Sequence, residues 1–168
     1  MKAAIRLLAA GDSLALLTDL LHRAYAPLGA RALNYTAVDQ TVETTAQRVS
    51  LGTCAVLTLG ERIVGTITVR PPKADSVCAW YRLPHVAIAT QFAVEPEHQG
   101  AGLGAQLMDW AEAWARSNGY AEIAVDTAEP AAHLVAYYAR RGHRLVDDVQ
   151  WPGKTYRSVI LSKRLSGR

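Results

Sequence analysis

The 168-residue chain predicts one layered α/β (α+β) domain. Three observations point there. Strand-like and helix-like segments alternate from one end to the other. Residues 85–94 are apolar on both faces, the pattern of a central strand covered on both sides. That strand runs into a glycine-rich turn and then an amphipathic helix. The length suits one hydrophobic core and is short for two. Half the residues are hydrophobic (50%) and a fifth charged (20%), a globular composition rather than a disordered one.

Taken in order, residues 3–8 predict a first strand. Gly11-Asp12-Ser13 supplies turn and N-cap chemistry for a helix to about Tyr25, with Leu14, Leu17, Leu21 and Tyr25 on one face. Pro27 and Gly29 are expected to end it. After a polar stretch over 31–39, a second helix covers 41–49. Residues 54–59 and 63–69, joined by Gly60-Glu61-Arg62, read as a hairpin that Pro71-Pro72 stops. Residues 71–84 form a long loop carrying Trp80 and Tyr81, and loops of that length are often functional. In the central strand Val86, Ile88, Thr90, Phe92 and Val94 alternate with Ala87, Ala89, Gln91 and Ala93. Gln91 is the one long polar side chain on its face, either a hydrogen-bonded core group or part of a pocket wall. The helix that follows runs from about 103 to 117, with Leu103, Leu107, Trp110, Ala111 and Trp114 on one side and Asn118-Gly119 as its stop. Residues 123–126 make a short strand. Pro130 suits the first turn of a helix ending at Arg140-Arg141-Gly142. Two strands, 144–149 and 156–162, close the chain around a loop at 150–155.

Lys+Arg 18 against Asp+Glu 15 gives a net charge of +3 with no basic tail, so nucleic acid is not an expected partner. Runs free of charge reach only about a dozen residues, below the roughly 18–20 of a spanning helix, so no membrane partner is expected. Arg6 and Asp12 interrupt what would be the apolar stretch of a signal peptide. Cys54 and Cys78 have neither metal-ligand nor disulfide-framework spacing, so two reduced thiols, a cytoplasmic setting and no metal are expected.

The turn Gln99-Gly100-Ala101-Gly102-Leu103-Gly104-Ala105 joins a buried strand to a helix start. Unpaired first-turn N–H groups and the helix dipole favour an anion there, and the glycines let a phosphate approach the backbone. Two phosphate-bearing cofactors compete. The spacing satisfies G-x-G-x-x-G/A, with Asp126 near the place of a ribose-binding acid, as in a dinucleotide site. Against this, Glu95 to Gln99 separate strand from glycine, and no second mononucleotide half precedes. A Walker loop is excluded because Leu103-Gly104 stands where Lys-Ser/Thr is required.

The second cofactor is coenzyme A. Residues 94–104, VEPEHQGAGLG, resemble the pyrophosphate loop of the GNAT superfamily of N-acetyltransferases, Gln/Arg-x-x-Gly-x-Gly/Ala, through Gln99, Gly102 and Gly104. Residues 134–143, LVAYYARRGH, resemble the superfamily's second motif, and the helix and strand between the two fit its spacing. The resemblance implies a central mixed, mostly antiparallel twisted sheet of six to seven strands flanked by about four helices, with the fourth and fifth strands splayed. It divides one domain over 1–168 into a substrate side (1–85), acetyl-CoA motifs (86–149) and a closing hairpin strand (150–168). It assigns the pyrophosphate to the turn at 99–105 and the pantetheine arm and acetyl carbonyl to backbone groups of Phe92, Ala93 and Val94. Tyr138 becomes the general acid that protonates the leaving thiolate in direct attack by an amine. Arg140, Arg141 and Arg144 would gather beside coenzyme A.

Departures from the pattern fall on the acceptor side. Ile88 and Thr90 occupy positions where relatives carry a Glu or His base, leaving Gln91 as a water-holder, His85 and Glu43 as candidates. Ala131 replaces an Asn that orients pantetheine, so Asp126-Thr127 would supply that hydrogen bonding unless Thr127 caps the next helix. The substrate side offers aromatic residues, Tyr35, Trp80 and Tyr81 among them, which suit an amine or planar ring and equally a homodimer interface. Few acids accompany them, which favours a small mono-amine or amino-acid-like acceptor. Acetylation of a protein N-terminus, a lysine or an aminoacyl-tRNA, and a catalytically silent acyl-CoA-binding module, are the alternatives.

Overall fold

In a computed structural model, which describes residues 1–166, the chain forms one seven-stranded sheet with five helices. The strands are β1 (Ala3–Leu7), β2 (Thr53–Leu59), β3 (Arg62–Arg70), β4 (Val86–Val94), β5 (Glu122–Ala128), β6 (Arg144–Val149) and β7 (Ser158–Arg164). Their order across the sheet is β1-β2-β3-β4-β5-β7-β6, antiparallel everywhere except β4 beside β5. The last two residues of the expected closing segment lie outside the described residues. No described helix is long and apolar enough to cross a membrane, and both cysteines are free and buried.

The first helix, α1 (Leu14–Ala30), starts where the sequence places it, with Ser13 Oγ accepting from the Leu16 N–H at 3.1 Å. It does not stop at Pro27. Proline's fixed φ fits a helix, and the cost is one missing N–H donor. Continuing the helix buries Leu28 against Leu33, Ala131 and Tyr156. Gly29 is there for close approach: a Cβ on it would stand 2.8 Å from Val38 Cγ1. Val38 belongs to α2 (Thr36–Asp39), a single turn within the stretch read as polar loop. Then α3 (Val42–Ser50) begins with Thr41 accepting from the Thr44 N–H.

One face of the sheet is covered by α4 (Leu103–Ser117), whose Leu107, Met108 and Ala111 pack fully buried on Leu57, Ile67 and Ala87. On the other face α1 lays Leu20 and Leu21 over Ala93. The excursion after β3 folds back as a short 3-10 turn, Trp80–Arg82, which buries Tyr81 with Cys78 and Ile88. Finally α5 (Ala132–Arg140) packs beside β7, with Ala131 rather than Thr127 as its N-cap.

Strict alternation along β4 fails in the middle. Ala87 and Ala89 belong to the cluster under α4; so do Phe92 and Val94, while Ala93 faces α1. The pairing with β3 slips between Thr66 and Thr68, and Gln91 has φ +51°. An extra residue in one strand moves every later side chain to the opposite face. Gln91 therefore does not share a face with Ala87, as alternation alone implied.

Replacing Leu107 by Ala should destabilise the fold by about 2–5 kcal/mol in urea unfolding, since the site is fully buried between helix and sheet. A loss below about 1 kcal/mol would show that this seam contributes little.

Candidate functional site

Between β4 and β5 the parallel pairing covers only Val86 to Ile88 against Glu122 to Ala124. Beyond it the strands part, and a cavity of about 930 Å³ opens where they separate. Ala89 to Val94 form one wall and Val125 to Thr127 the other, while Tyr25 on α1 and Tyr137 and Tyr138 on α5 close the sides.

At one end of the cavity lies the glycine turn. After the short 3-10 turn Pro96–His98, Gly100 and Gly102 adopt φ +82° and +81°, which side-chain-bearing residues rarely do. Gly102 caps α4 without a side-chain acceptor, and the first intrahelical bond is donated by Gln106. The N–H groups of Leu103, Gly104 and Ala105 thus have no intrahelical partner. A Cβ at Gly100 or Gly102 would meet nothing within 4 Å, so the turn presents bare backbone. This arrangement fits a pyrophosphate. Gln99 folds back, its amide donating to the Val94 carbonyl at 3.0 Å. Glu95, buried at the base of the turn, takes two bonds from Arg23 at 2.7 and 2.8 Å, and these guanidinium bonds hold its carboxyl below the usual range. Of the turn residues named from sequence, Gln99, Gly100, Gly102, Gly104 and Ala105 line the cavity; Ala101 does not, and the Leu103 side chain is in the core.

Phe92, Ala93 and Val94 all line the wall. The Phe92 carbonyl accepts the Tyr25 hydroxyl at 2.8 Å. The Phe92 ring stacks on Tyr137 (6.4 Å between centroids) and tucks under Gly104, where a Cβ would lie 3.2 Å from it. Tyr138 is buried yet lines the cavity, and its hydroxyl makes no hydrogen bond to a described residue. Burial, then the neighbouring Tyr25, Tyr137 and Asp126, raises its pKa well above the ordinary phenol value. It stays protonated at neutral pH.

The opposite end is built from residues far apart in sequence. Asp126 on β5 receives the Tyr81 hydroxyl at 2.6 Å and the Trp151 indole N–H at 3.2 Å. Burial nevertheless raises its pKa. Tyr35 bridges Thr127 Oγ1 and the Ala128 N–H and packs between Tyr25 and Tyr156. Gln91 resolves both of its readings: its carbonyl accepts from Gln40 at 2.8 Å, and it lines the cavity. Tyr81 donates to Asp126 and does not itself line the wall. Trp80 also lies outside the lining, half-buried under the Arg144 guanidinium at 5.8 Å.

The base candidates divide. His85 and Glu43 are exposed and outside the lining; Asp126 is the one carboxylate among the described lining residues. The expected arginine cluster does not line the cavity, and Arg140 is exposed outside it. Arg141 pairs with Asp109 and Glu112, and Arg144 with Glu122. The cations that do line the cavity are Arg31, Arg48 and Lys154, which sequence reasoning did not single out. No motif marks them, because they come from two helices' ends and a loop.

His143, behind Tyr138, meets its ring edge-on at 5.5 Å and bonds its carbonyl through Nδ1 at 3.2 Å. Its Nε2 has no partner, and burial lowers its pKa from 6.5 to about 4. Between those values the unfolded chain binds a proton that the folded chain refuses, so stability falls as pH drops from about 6.5 toward 4. The His143→Phe variant should lack this component, up to about 3 kcal/mol, when urea unfolding is compared at pH 7 and pH 4.5. An equal acid-induced loss in both proteins would remove His143 from the account.

Comparison with known proteins agrees with this geometry. Residues 16–143 match the Acetyltransferase (GNAT) family. An S-(2-succino)cysteine N-acetyltransferase of Bacillus subtilis (strain 168) is 28% identical over 167 residues, 98% of each chain. A GNAT family acetyltransferase from Elizabethkingia anophelis, solved with acetyl-CoA bound, superposes with a TM-score of 0.71 at 18% identity, covering 97% of this chain and 98% of that one. The ribosomal-protein-S18-alanine N-acetyltransferase of Escherichia coli gives 0.74 at 16% identity, covering 98% and 95%. The loop, the parted strands and the family match converge: this chain belongs to the GNAT acetyltransferase family and uses acetyl-CoA.

Proposed function

We propose that this protein transfers the acetyl group of acetyl-CoA to a primary amine of a small molecule by direct attack, with Tyr138 as general acid. The observation that carries this reading is the protonated Tyr138 in the lining of the cavity that opens where β4 and β5 separate, a lining it shares with the glycine turn and Asp126. A cavity of this size encloses a small acceptor. The curated relative, matched over nearly its whole length, is by name an N-acetyltransferase of an S-substituted cysteine, which supports an amine acceptor of that kind.

The division of labour follows from the chain's own groups. The free N–H groups of Leu103, Gly104 and Ala105, with the bare backbone of Gly100 to Gly102, bind the pyrophosphate. Backbone of Phe92, Ala93 and Val94 aligns the thioester, where fixed dipoles stabilise charge developing on the acetyl oxygen. The neutral amine's lone pair forms the new C–N bond, the C–S bond breaks, Tyr138 gives its proton to the departing thiolate, and the proton shed by the acylated nitrogen passes to solvent, from which the Tyr138 phenolate regains one. The strongly raised phenol pKa keeps that proton in place at working pH. Following free thiol release from acetyl-CoA over a panel of amines tests the reading. Release with one or more amines supports it; thermal stabilisation by acetyl-CoA without release from any would favour an acyl-CoA-binding module instead.

Two substitutions separate the roles. Tyr138→Phe should lower kcat by tens of fold or more while leaving the acetyl-CoA dissociation constant within about twofold, and wild-type turnover would remove Tyr138 from the mechanism. Gly102→Val forces a β-branched residue into the left-handed region at the cap of α4. It should weaken acetyl-CoA binding at least tenfold in titration calorimetry while the far-ultraviolet spectrum stays native. Unchanged affinity would show that the turn does not hold the pyrophosphate.

A further inference from the structure

Several arginines and lysines of this chain are matched to carboxylates. Arg6, Arg23, Arg62, Arg141 and Lys163 each form an ion pair of 2.8 Å or less, and Arg144 pairs at 2.6 Å. Two that line the acceptor end of the cavity are not. Among the described residues no carboxylate oxygen lies within 4.0 Å of the Arg48 guanidinium or the Lys154 ammonium. Both are nevertheless held in place by neutral acceptors. Arg48 Nη1 donates to Gln40 Oε1 at 2.8 Å, and Gln40 is itself bonded to Thr45 and Gln91. Lys154 Nζ donates to the Asn34 carbonyl at 2.8 Å and Thr36 Oγ1 at 3.0 Å. Each keeps donors to spare.

Across the same space lies Asp126, whose two oxygens each accept one bond from a neutral donor and keep a free lone pair. We propose that the acceptor is an amine that also carries a carboxylate, bound by Arg48 and Lys154, with its amino group directed at Asp126. The proposal rests on the acetyltransferase reading and names its substrate class. A cation withdrawn from water without a counter-charge is costly, and a carboxylate ligand supplies that counter-charge. Burial lowers the pKa of both Arg48 and Lys154, the mark of cations lacking full compensation. With Arg31 at the rim, three cations face one carboxylate in the lining, so an acceptor without a carboxylate leaves the positive excess uncancelled.

The test uses the intact protein with acetyl-CoA and amines in matched sets: monocarboxylic L-amino acids, S-methyl-L-cysteine among them, each beside its amide and its decarboxylated amine. The carboxylate-bearing member should exceed its partners in kcat/KM by tenfold or more. In Arg48→Gln and in Lys154→Met that ratio should fall toward one, chiefly through KM. Asp126→Asn should lower turnover of every amine yet keep the ratio. Equal or better turnover of the carboxylate-free amines by the wild-type protein overturns the proposal, and so does an undiminished ratio in both cation variants. Lys154 sits on a loop, so its variant decides the matter even if the Arg48 variant folds poorly. Should no amine release thiol, the acetyl-transfer reading fails by itself. Calorimetric titration of CoA-loaded protein with S-methyl-L-cysteine and S-methylcysteamine then decides the carboxylate site: tenfold tighter binding of the former in wild type, lost in Lys154→Met, upholds it, and equal binding overturns it.

Discussion

The parting of β4 from β5 after three paired residues governs the rest of this molecule. A sheet normally satisfies its backbone groups strand against strand, and a strand that leaves its neighbour must find other partners. Here the slip at Gln91 shifts the register of β4 on β3, where pairing resumes at Ala93 and Val94, while β5 continues along β7 as far as Ala128. The gap cannot collapse. Phe92 and Tyr137 stack on one side, and Tyr25, Tyr35 and Tyr156 pack on the other. What results is a cleft with backbone along its wall, suited to an extended arm such as pantetheine.

The two ends of that cleft differ in chemistry because different forces build them. At the glycine turn the binding groups are backbone N–H, fixed by the start of α4 and by Glu95 beneath it, which Arg23 clamps to α1. No charged side chain is needed to attract phosphate there. At the acceptor end the groups are side chains from α3, β5 and the loop before β7, each oriented by a neutral neighbour. Tyr138 lines the same cleft from α5, with a neutral His143 behind it. The reacting atoms would therefore meet where backbone recognition ends and side-chain recognition begins.

Features that repeat along the chain were legible before the structure. The apolar face of α4, the two-sided β4 and the left-handed glycines at 100 and 102 follow from periodicity and from residue types with few alternatives. Tyr138, four residues before Gly142, was reached through the motif resemblance alone, and the structure puts it in the cavity lining. Local signals misled where a tertiary contact outweighed them. Pro27 and Gly29 look like a helix stop, yet burial of Leu28 and the approach of Val38 carry α1 onward. Gln91 takes a positive φ that only glycine announces in a sequence. Arg48 and Lys154 were hidden for another reason, and Asp126 was legible only as a cofactor-side group. Their significance lies in what they lack, a carboxylate or ammonium partner, and that is a property of three-dimensional neighbours.

The account stands or falls on where the thioester lies. A crystal structure with acetyl-CoA and a carboxylate-bearing amine would measure it directly. The pantetheine arm should run between β4 and β5, with the pyrophosphate on the N–H groups of residues 103–105 and the sulfur within about 3.5 Å of the Tyr138 hydroxyl. A pantetheine arm lying outside the gap, or a sulfur beyond reach of Tyr138 with another donor beside it, would contradict the mechanism.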